Sequence, residues 1–140
     1  VPGAAPEDFI VECSPAVAGC PTISNVNTVD QTLTVIFSGI VPIGVWTCVT
    51  HSVSGFIVCL GSLPGDANGD RTSAPVDILD LIDDLNRVRV PPLAIHQCDV
   101  DRSNLCAPAD ILSEIDLLNG ASGFEVWNGR TLPVCPSIAP

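Results

Sequence analysis

A repeated segment constrains the fold of this chain more than any other feature. Residues 74–86, APVDILDLIDDLN, recur 33 residues later as residues 107–119, APADILSEIDLLN, with nine of the thirteen positions identical. Both copies carry the pattern Ile-Leu-x-x-Ile-x-x-Leu, which predicts the single apolar face of a short helix. Pro91-Pro92 separates the copies, and Gly120 follows the second as a helix terminator. Two copies indicate a paired structural unit rather than an extended solenoid.

A loop rich in oxygen-bearing residues leads into each predicted helix. Counting twelve residues from Asp66 or Asp99, side-chain oxygens fall at positions 1, 3, 5 and 12, and a backbone carbonyl is available at position 7. Calcium takes about six to eight oxygen ligands, and this spacing wraps one segment of chain around the ion. We therefore predict two calcium ions, one in each loop. The predicted ligands are Asp66, Asn68, Asp70, the Thr72 carbonyl and Asp77 in the first loop, and Asp99, Asp101, Ser103, the Leu105 carbonyl and Asp110 in the second.

The charge of the chain agrees with bound cations and excludes several classes of partner. Its formal net charge is -11, from 16 acidic residues against five arginines, and eleven of the acids lie between residues 66 and 119. Such crowding of like charge opposes a compact fold unless a cation is bound. A nucleic-acid partner is excluded because phosphate binding needs clustered positive charge. No apolar run is long enough to predict a membrane span.

The two loops depart from a complete EF-hand in the same way. Position 12 is Asp rather than Glu, and the residues before the loops, LPG and HQ, are predicted to be non-helical. This arrangement resembles the dockerin family, whose repeats are a calcium loop followed by a single helix, and in particular its divergent members at the C-termini of secreted bacterial proteins. The resemblance covers residues 64–119 and rests on GDANGD…APVDILDLIDDLN and CDVDRS…APADILSEIDLLNG. It implies the same eight side chains as calcium ligands.

Three residues within the loops differ from the family pattern. Arg71 and Asn104 stand at position 6, where Gly normally makes the sharp turn. Ser103 at position 5 is a weaker ligand than Asp, so we expect the second site to be the weaker one. Before position 12 the chain has Pro75-Val76 and Pro108-Ala109, which lack the hydroxyl pair typical of cohesin recognition. The resemblance thus implies calcium binding more strongly than cohesin binding.

The N-terminal part reads as short strands rich in Val, Ile and Thr, separated by Gly, Pro, Asn and Ser. The predicted strands are Phe9–Cys13, Thr22–Val29, Thr32–Phe37, Val45–Thr50 and Phe56–Leu60. Leu33, Val35 and Phe37 alternate with other residues, which favours a sheet with one covered face. Five strands are fewer than the roughly seven of an immunoglobulin-like sandwich, so a sheet edge is expected to stay open.

These patterns together predict an α+β fold. A small, under-stranded, β-sandwich-like part of immunoglobulin type is followed by a dockerin-like pair of calcium loop–helix repeats. We expect an N-terminal strand or arm over residues 1–20, which is a candidate exchanged strand. A β-sheet domain follows over residues 21–63, and a calcium-binding domain with a C-terminal tail over residues 64–140.

Seven cysteines place the chain in an oxidising compartment. They stand at Cys13, Cys20, Cys48, Cys59, Cys98, Cys106 and Cys135. Their spacing contains no CxxC pair and no zinc-type His partner, so we expect disulfides rather than a zinc site. We predict the pairs Cys13–Cys20 and Cys48–Cys59, and the C-terminal three leave several pairings open. The chain begins at Val1, and we expect a mature extracellular protein, secreted or on the cell surface, whose leader has been removed.

No group of residues predicts catalysis. His51 and His96 are the only imidazoles and lack a nucleophile in their sequence context, while Asp83-Asp84 is interpreted as a solvated helix surface. Trp127 belongs to the C-terminal tail, Phe124–Pro140, which is expected to fold back over the helices, and its ring is predicted to fill the core. The chain has no Asn-x-Ser/Thr sequon, and its Ser, Thr and Pro content is compatible with O-linked glycan.

Two functional hypotheses follow. The first is a non-enzymatic, calcium-binding structural protein that self-associates into a homo-oligomer or fibre, as a subunit of an extracellular filament or surface layer. Its incomplete sheet would accept a strand from another chain. The second is a dockerin-type anchoring module that binds a cohesin-like receptor.

Overall fold

The computed structural model describes residues 4–136. Contacts divide the chain into two units, residues 4–62 with 133–136 and residues Leu63–Leu132. Strands occupy the first unit and three helices the second, which confirms the mixed α+β composition. Residues 1–3 of the predicted N-terminal arm and residues 137–140 of the predicted tail lie outside the described residues.

Five strands form two antiparallel sheets in the first unit. They are β1 (Phe9–Ser14), β2 (Ile23–Val29), β3 (Thr32–Phe37), β4 (Trp46–His51) and β5 (Ile57–Gly61), after a 3₁₀ turn at Pro6–Asp8. One sheet has the order β1-β4-β5, and the other consists of β2 and β3. All five predicted strands are present, with ends that differ from the prediction by at most one residue. The strand β1 pairs with β4 along its whole length, from Phe9 opposite His51 to Ser14 opposite Trp46.

The two sheets border one open apolar groove. The side chains of Leu33, Val35 and Phe37 on β3 are half-buried and line it, which confirms their predicted inward face. Val58 and Leu60 on β5 line the opposite side, and the groove has a volume of about 740 Å³. Several side chains in it remain partly solvated because five strands do not close a sandwich.

Disulfides confirm both cysteine pairs predicted for this unit. Cys48 and Cys59 lie directly opposite each other on β4 and β5, so their disulfide joins neighbouring strands. Cys13 and Cys20 close a short loop after β1. The chain from residue 133 also belongs to this unit, where Trp46 Nε1 donates a hydrogen bond to the Pro133 carbonyl at 2.9 Å.

The second unit contains the two predicted helices and one that was not predicted. They are α1 (Pro75–Leu85), α2 (Ile95–Cys98) and α3 (Pro108–Asn119). A Pro opens α1 and α3 at the first helical position, where its missing N–H costs nothing. Gly120 ends α3 with φ +69°, the left-handed conformation typical of a helix C-terminus. Within residues 4–136, every helix is too short or too polar to cross a membrane.

The prediction that the residues before the second loop are non-helical was wrong. Residues Ile95–Cys98 form a single helical turn that leads directly into this loop. A helix of four residues is too short to show helical periodicity in the sequence. This turn is stabilised by local hydrogen bonds that depend on the folded chain. The interpretation of Asp84 as solvated was also incomplete. Its carboxylate accepts a hydrogen bond from the Leu93 N–H at 2.7 Å and so holds the linker between the repeats.

The core of the second unit lies between the two repeats. Leu81 of α1, Ala67 of the first loop and Cys98 of α2 are almost fully buried and are surrounded by Leu93, Val100, Cys106 and Ile111. Cys98 is joined to Cys106 by a third disulfide, and Cys135 is free and exposed. The pairing among the C-terminal cysteines, which the sequence left open, is therefore Cys98–Cys106.

The tail returns over α3 and the first loop. Trp127 is buried, as predicted, and its backbone N–H donates to the Leu117 carbonyl at 3.3 Å. The Arg130 guanidinium lies 4.4 Å from the centre of the Trp127 ring, a cation–π contact. Ser73 donates its backbone N–H to the Arg130 carbonyl at 2.9 Å, which fastens the tail to the first loop.

Candidate metal sites

The aspartate at position 12 joins each loop to its helix. Asp77 lies in the first turn of α1 and accepts hydrogen bonds from the backbone N–H groups of Ala74 at 2.9 Å and Asn68 at 3.1 Å. Asp110 in α3 does the same with Ala107 at 2.8 Å and Asp101 at 3.1 Å. Both aspartates are at most 1% exposed. A carboxylate is favoured here because it satisfies free N–H groups and faces the positive end of the helix dipole.

The aspartate at position 1 holds the opposite side of each loop. Asp66 Oδ2 accepts from the Arg71 N–H at 2.9 Å, and Asp99 Oδ2 accepts from the Asn104 N–H at 2.9 Å. The two donors stand at position 6 and have φ of +74° and +67°. The sharp turn that Gly normally makes there is thus formed by Arg71 and Asn104. The free-energy cost of a positive φ is larger for Arg than for Asn.

The remaining predicted side chains turn back over their own loops. Asn68 Oδ1 accepts from the Asp70 N–H and Asp70 Oδ1 from the Thr72 N–H, both at 2.8 Å. In the second loop Asp101 Oδ1 accepts from the Ser103 N–H at 2.9 Å. Ser103 Oγ also donates to the Leu105 carbonyl at 3.3 Å, so that two predicted ligand oxygens are neighbours.

Carboxylates converge more closely in the second loop than in the first. Oxygens of Asp99, Asp101 and Asp110 lie within 4.8 Å of one another, the one such acidic group of three in the described part of the chain. In the first loop Asn68 stands where the second has Asp101, and its amide donates to Asp80 at 3.1 Å. Asp80 in turn forms an ion pair with Arg89. The expected order of affinities, with the second site weaker, stays a prediction.

Burial disfavours the charged form of two carboxylates in the first loop. It raises the pKa of Asp66 and of Asp77, against the hydrogen bonds that lower both. In the second loop, hydrogen bonds from Ser103 lower the pKa of Asp101. A cation bound in the first loop would lower the pKa of Asp66 and of Asp77 again, because it favours their charged forms.

A residue that the sequence prediction missed lies beside the first loop. Glu114 on α3 is 1% exposed, and burial, together with Asp77 and Asp66, raises its pKa to about 7. Among the described residues, its carboxylate oxygen Oε1 has no hydrogen-bond partner, as is also true of Ser73 Oγ and Asp66 Oδ1. The signal in the sequence was an acid on the apolar face of a helix, at the position where the first repeat has Leu81.

His51 has a structural role in its hairpin. Its Nδ1 lies 2.7 Å from Ser54 Oγ, and Ser54 Oγ also accepts from the Phe56 N–H at 3.3 Å. The imidazole packs beside the Phe9 ring, with centroids 4.9 Å apart. These contacts close the turn between β4 and β5.

Comparisons with known protein families, with curated proteins and with solved structures each returned no match. The resemblance to dockerins therefore rests on the residues of the two loops and their helices.

Proposed function

We propose that this chain is a secreted, non-enzymatic structural protein that binds two calcium ions and self-associates into an extracellular filament or surface layer. The observation that carries the calcium proposal is the matched geometry of the two loops. In each, the position 12 aspartate is buried and oriented by two backbone N–H groups, and the position 1 aspartate is held by the N–H of position 6.

The ligand chemistry favours calcium over other common ions. Each loop offers only oxygens, from carboxylates, an amide or hydroxyl, and a backbone carbonyl. If the position 12 aspartate binds through both carboxylate oxygens, each loop supplies about six oxygens, which suits a large hard cation. Zinc and copper prefer nitrogen and sulfur, and Mg²⁺ prefers a stricter octahedron with several waters.

The calcium ions are proposed to be structural rather than signalling. Each ion would neutralise two or more buried or crowded carboxylates, and binding would be coupled to folding of the helical unit. Three disulfides favour an oxidising compartment, where calcium is plentiful and steady.

The open groove of the β unit supports self-association with a second copy of this chain. Within the described residues, the sheet β2–β3 has two strands only, β5 ends the other sheet, and both sheets leave apolar side chains exposed in the groove. Val58 and Leu60 are 44% and 45% exposed there. Linking two copies by strand exchange would place a second β unit beside this groove, where it would cover them.

The arm over residues 1–20 is the proposed exchanged segment. Its strand β1 makes six residue pairs with β4 in the same chain, and the same pairs would form with β4 of a second copy. Because Cys13 is bonded to Cys20, an exchanged β1 would carry the loop up to Cys20 with it. The hinge of such an exchange would lie just before β2.

The size of the native particle tests this proposal. Light scattering in calcium should give assemblies larger than one chain, and negative-stain images should show fibres or sheets. A variant that lacks residues 4–13 should shorten or abolish them, while a substitution of the exposed Asp83 on α1 to Asn should leave them unchanged. A single monomeric species at all concentrations would overturn self-association and leave calcium binding untouched.

An anchoring module is the second candidate function. Leu79 on α1 and Leu112 on α3 stand at the same position of the two repeats and are 60% and 66% exposed. Paired exposed leucines on the two helices favour a partner that docks on them. A monomer that is captured by a cohesin-type receptor in calcium, and not after Leu79→Asp with Leu112→Asp, would support this function against the filament.

A further inference from the structure

Two equivalent positions of the repeats carry residues of opposite character. Leu81 on α1 and Glu114 on α3 lie 33 residues apart, the repeat distance, and each is only 1% exposed. Leu81 packs in the apolar cluster with Ala67 and Cys98. A carboxylate gains nothing from such a setting, because burying it without a partner costs several kcal/mol. Some other interaction must therefore favour an acid at position 114.

The residues around these two side chains also follow the repeat. Cys98 and Cys106, whose disulfide closes the base of the second loop, correspond to Gly65 and Ser73 in the first. A Cβ on Gly65 would collide with Ser73 Oγ and would lie 3.0 Å from Glu114 Oε1. The space that a disulfide fills in one repeat is thus occupied in the other by the Ser73 hydroxyl, the Leu117 side chain and the Glu114 carboxylate. It adjoins Asp66, the first residue of the loop.

Three buried oxygens in this region lack hydrogen-bond partners within residues 4–136. They are Asp66 Oδ1, Ser73 Oγ and Glu114 Oε1. Buried polar atoms nearly always have a hydrogen-bond partner. Three unpaired oxygens in one region therefore indicate a ligand that accepts their lone pairs, as a cation does. Neither ion pair of the described residues involves Glu114, since these join Arg89 to Asp80 and Arg130 to Glu125. A cation in the first loop would supply the positive charge.

We propose that Glu114 is an oxygen ligand of the cation in the first loop, donated to it by the helix of the opposite repeat. This inference rests on the proposed calcium binding. The loop itself offers about six oxygens, and calcium accepts up to about eight, which leaves room for one more carboxylate oxygen. Position 9, from which many calcium loops draw a ligand directly or through water, is Ala74 here and has no side-chain oxygen.

Two consequences follow from this ligand. The first site would have four carboxylates, from Asp66, Asp70, Asp77 and Glu114, whereas the second has three and faces Leu81. More ligand charge raises calcium affinity, so the first site would be the tighter. The first ion would also join α3 to the first loop and make the pairing of the repeats dependent on calcium.

Calorimetric titration with calcium, together with amide NMR spectra, tests the proposal on the whole chain. Gly69 and Arg102 stand at position 4 of the two loops, so their amides report the two sites separately. Glu114→Gln keeps the shape and removes the charge, and should weaken the first site by about 10- to 100-fold while the second changes less than about twofold. Glu125→Gln removes the same charge from an exposed site and should leave both unchanged.

Europium bound in place of calcium distinguishes a ligand from a distant charge. Its luminescence lifetime counts bound waters, and Glu114→Leu, whose side chain has no oxygen, should add about one water at the first site. Glu114→Leu repeats the residue of the first helix, so it should fold even if the Gln variant does not, and should show the same loss of affinity.

The outcomes separate this inference from the function on which it rests. Wild-type affinity at the first site in both variants, or an unchanged water count in Glu114→Leu, would overturn ligation by Glu114 but not the proposed calcium binding. A wild-type chain that binds no calcium would overturn the proposed function as well.

Discussion

Glu114 gives the metal-free protein an unusual dependence on pH. Its pKa is raised from 4.5 to about 7 in the folded chain because burial disfavours the charged carboxylate, with Asp77 and Asp66 adding to the effect. Between pH 4.5 and about pH 7, Glu114 is therefore protonated in the folded state and ionised in the unfolded state. By linkage, the stability from this group is fully present below pH 4.5 and is lost as pH rises through 7. The raised pKa values of Asp66 and Asp77 act in the same direction.

The size of the effect follows from the two pKa values of Glu114. Their difference corresponds to about 3 kcal/mol of unfolding free energy from this one residue. That is a large share of the roughly 5–15 kcal/mol that stabilises an ordinary domain. In urea it would shift the unfolding midpoint by roughly 1–3 M.

Urea unfolding in excess chelator, followed by far-UV circular dichroism at pH 5 and pH 8, measures this effect. The wild-type helical signal should be lost at lower urea at pH 8, and Glu114→Gln should remove most of the difference. Glu125→Gln, at an exposed acid, should keep it. With calcium present the order should reverse, because the ion stabilises the ionised carboxylates. A metal-free protein that is equally stable at both pH values, or more stable at pH 8, would refute the reasoning.

Three further perturbations have defined outcomes. Asp77→Asn and Asp110→Asn each remove one oxygen that accepts a backbone N–H. Each substitution should lower the free energy of unfolding of the metal-free protein by about 1–3 kcal/mol. Each should also abolish calcium binding in its own loop, as measured by calorimetry. Gly65→Ala should destabilise by more than Gly69→Ala in thermal unfolding, because both have φ near +79° but only the first Cβ meets close neighbours. Excess chelator should lower the unfolding midpoint of the helical unit more than that of the disulfide-bonded strands, and an unchanged midpoint of the helical signal would contradict the coupling of metal to folding.

Local sequence patterns were sufficient to predict the elements of this fold. The helices α1 and α3 begin at Pro75 and Pro108 because Pro, a buried Asp and an apolar repeat all favour a helix start there. The strands followed from β-branched runs between turn residues. Within each loop, the hydrogen bonds of the position 1 and position 12 aspartates involve residues at most nine apart, so spacing alone places them.

Features that depend on distant pairing could not be predicted. The burial of Glu114 arises only when α3 packs beside the first loop, and its own repeat contains no sign of that partner. The Cys98–Cys106 bond competes in the sequence with two pairings to Cys135, and the fold decides between them. The pairing of β1 with β4, two strands far apart in the sequence, likewise has no local signal, whereas the predicted Cys48–Cys59 pair already joined β4 to β5.

Calcium binding is the central claim, and its stoichiometry at pH 7 tests it most directly. Calorimetric titration of the chelator-stripped protein should reveal two ions per chain. The single variants Asp77→Asn and Asp110→Asn should each retain one, and the double variant none. A wild-type chain that binds no calcium, or a double variant that still binds two ions, would contradict the account.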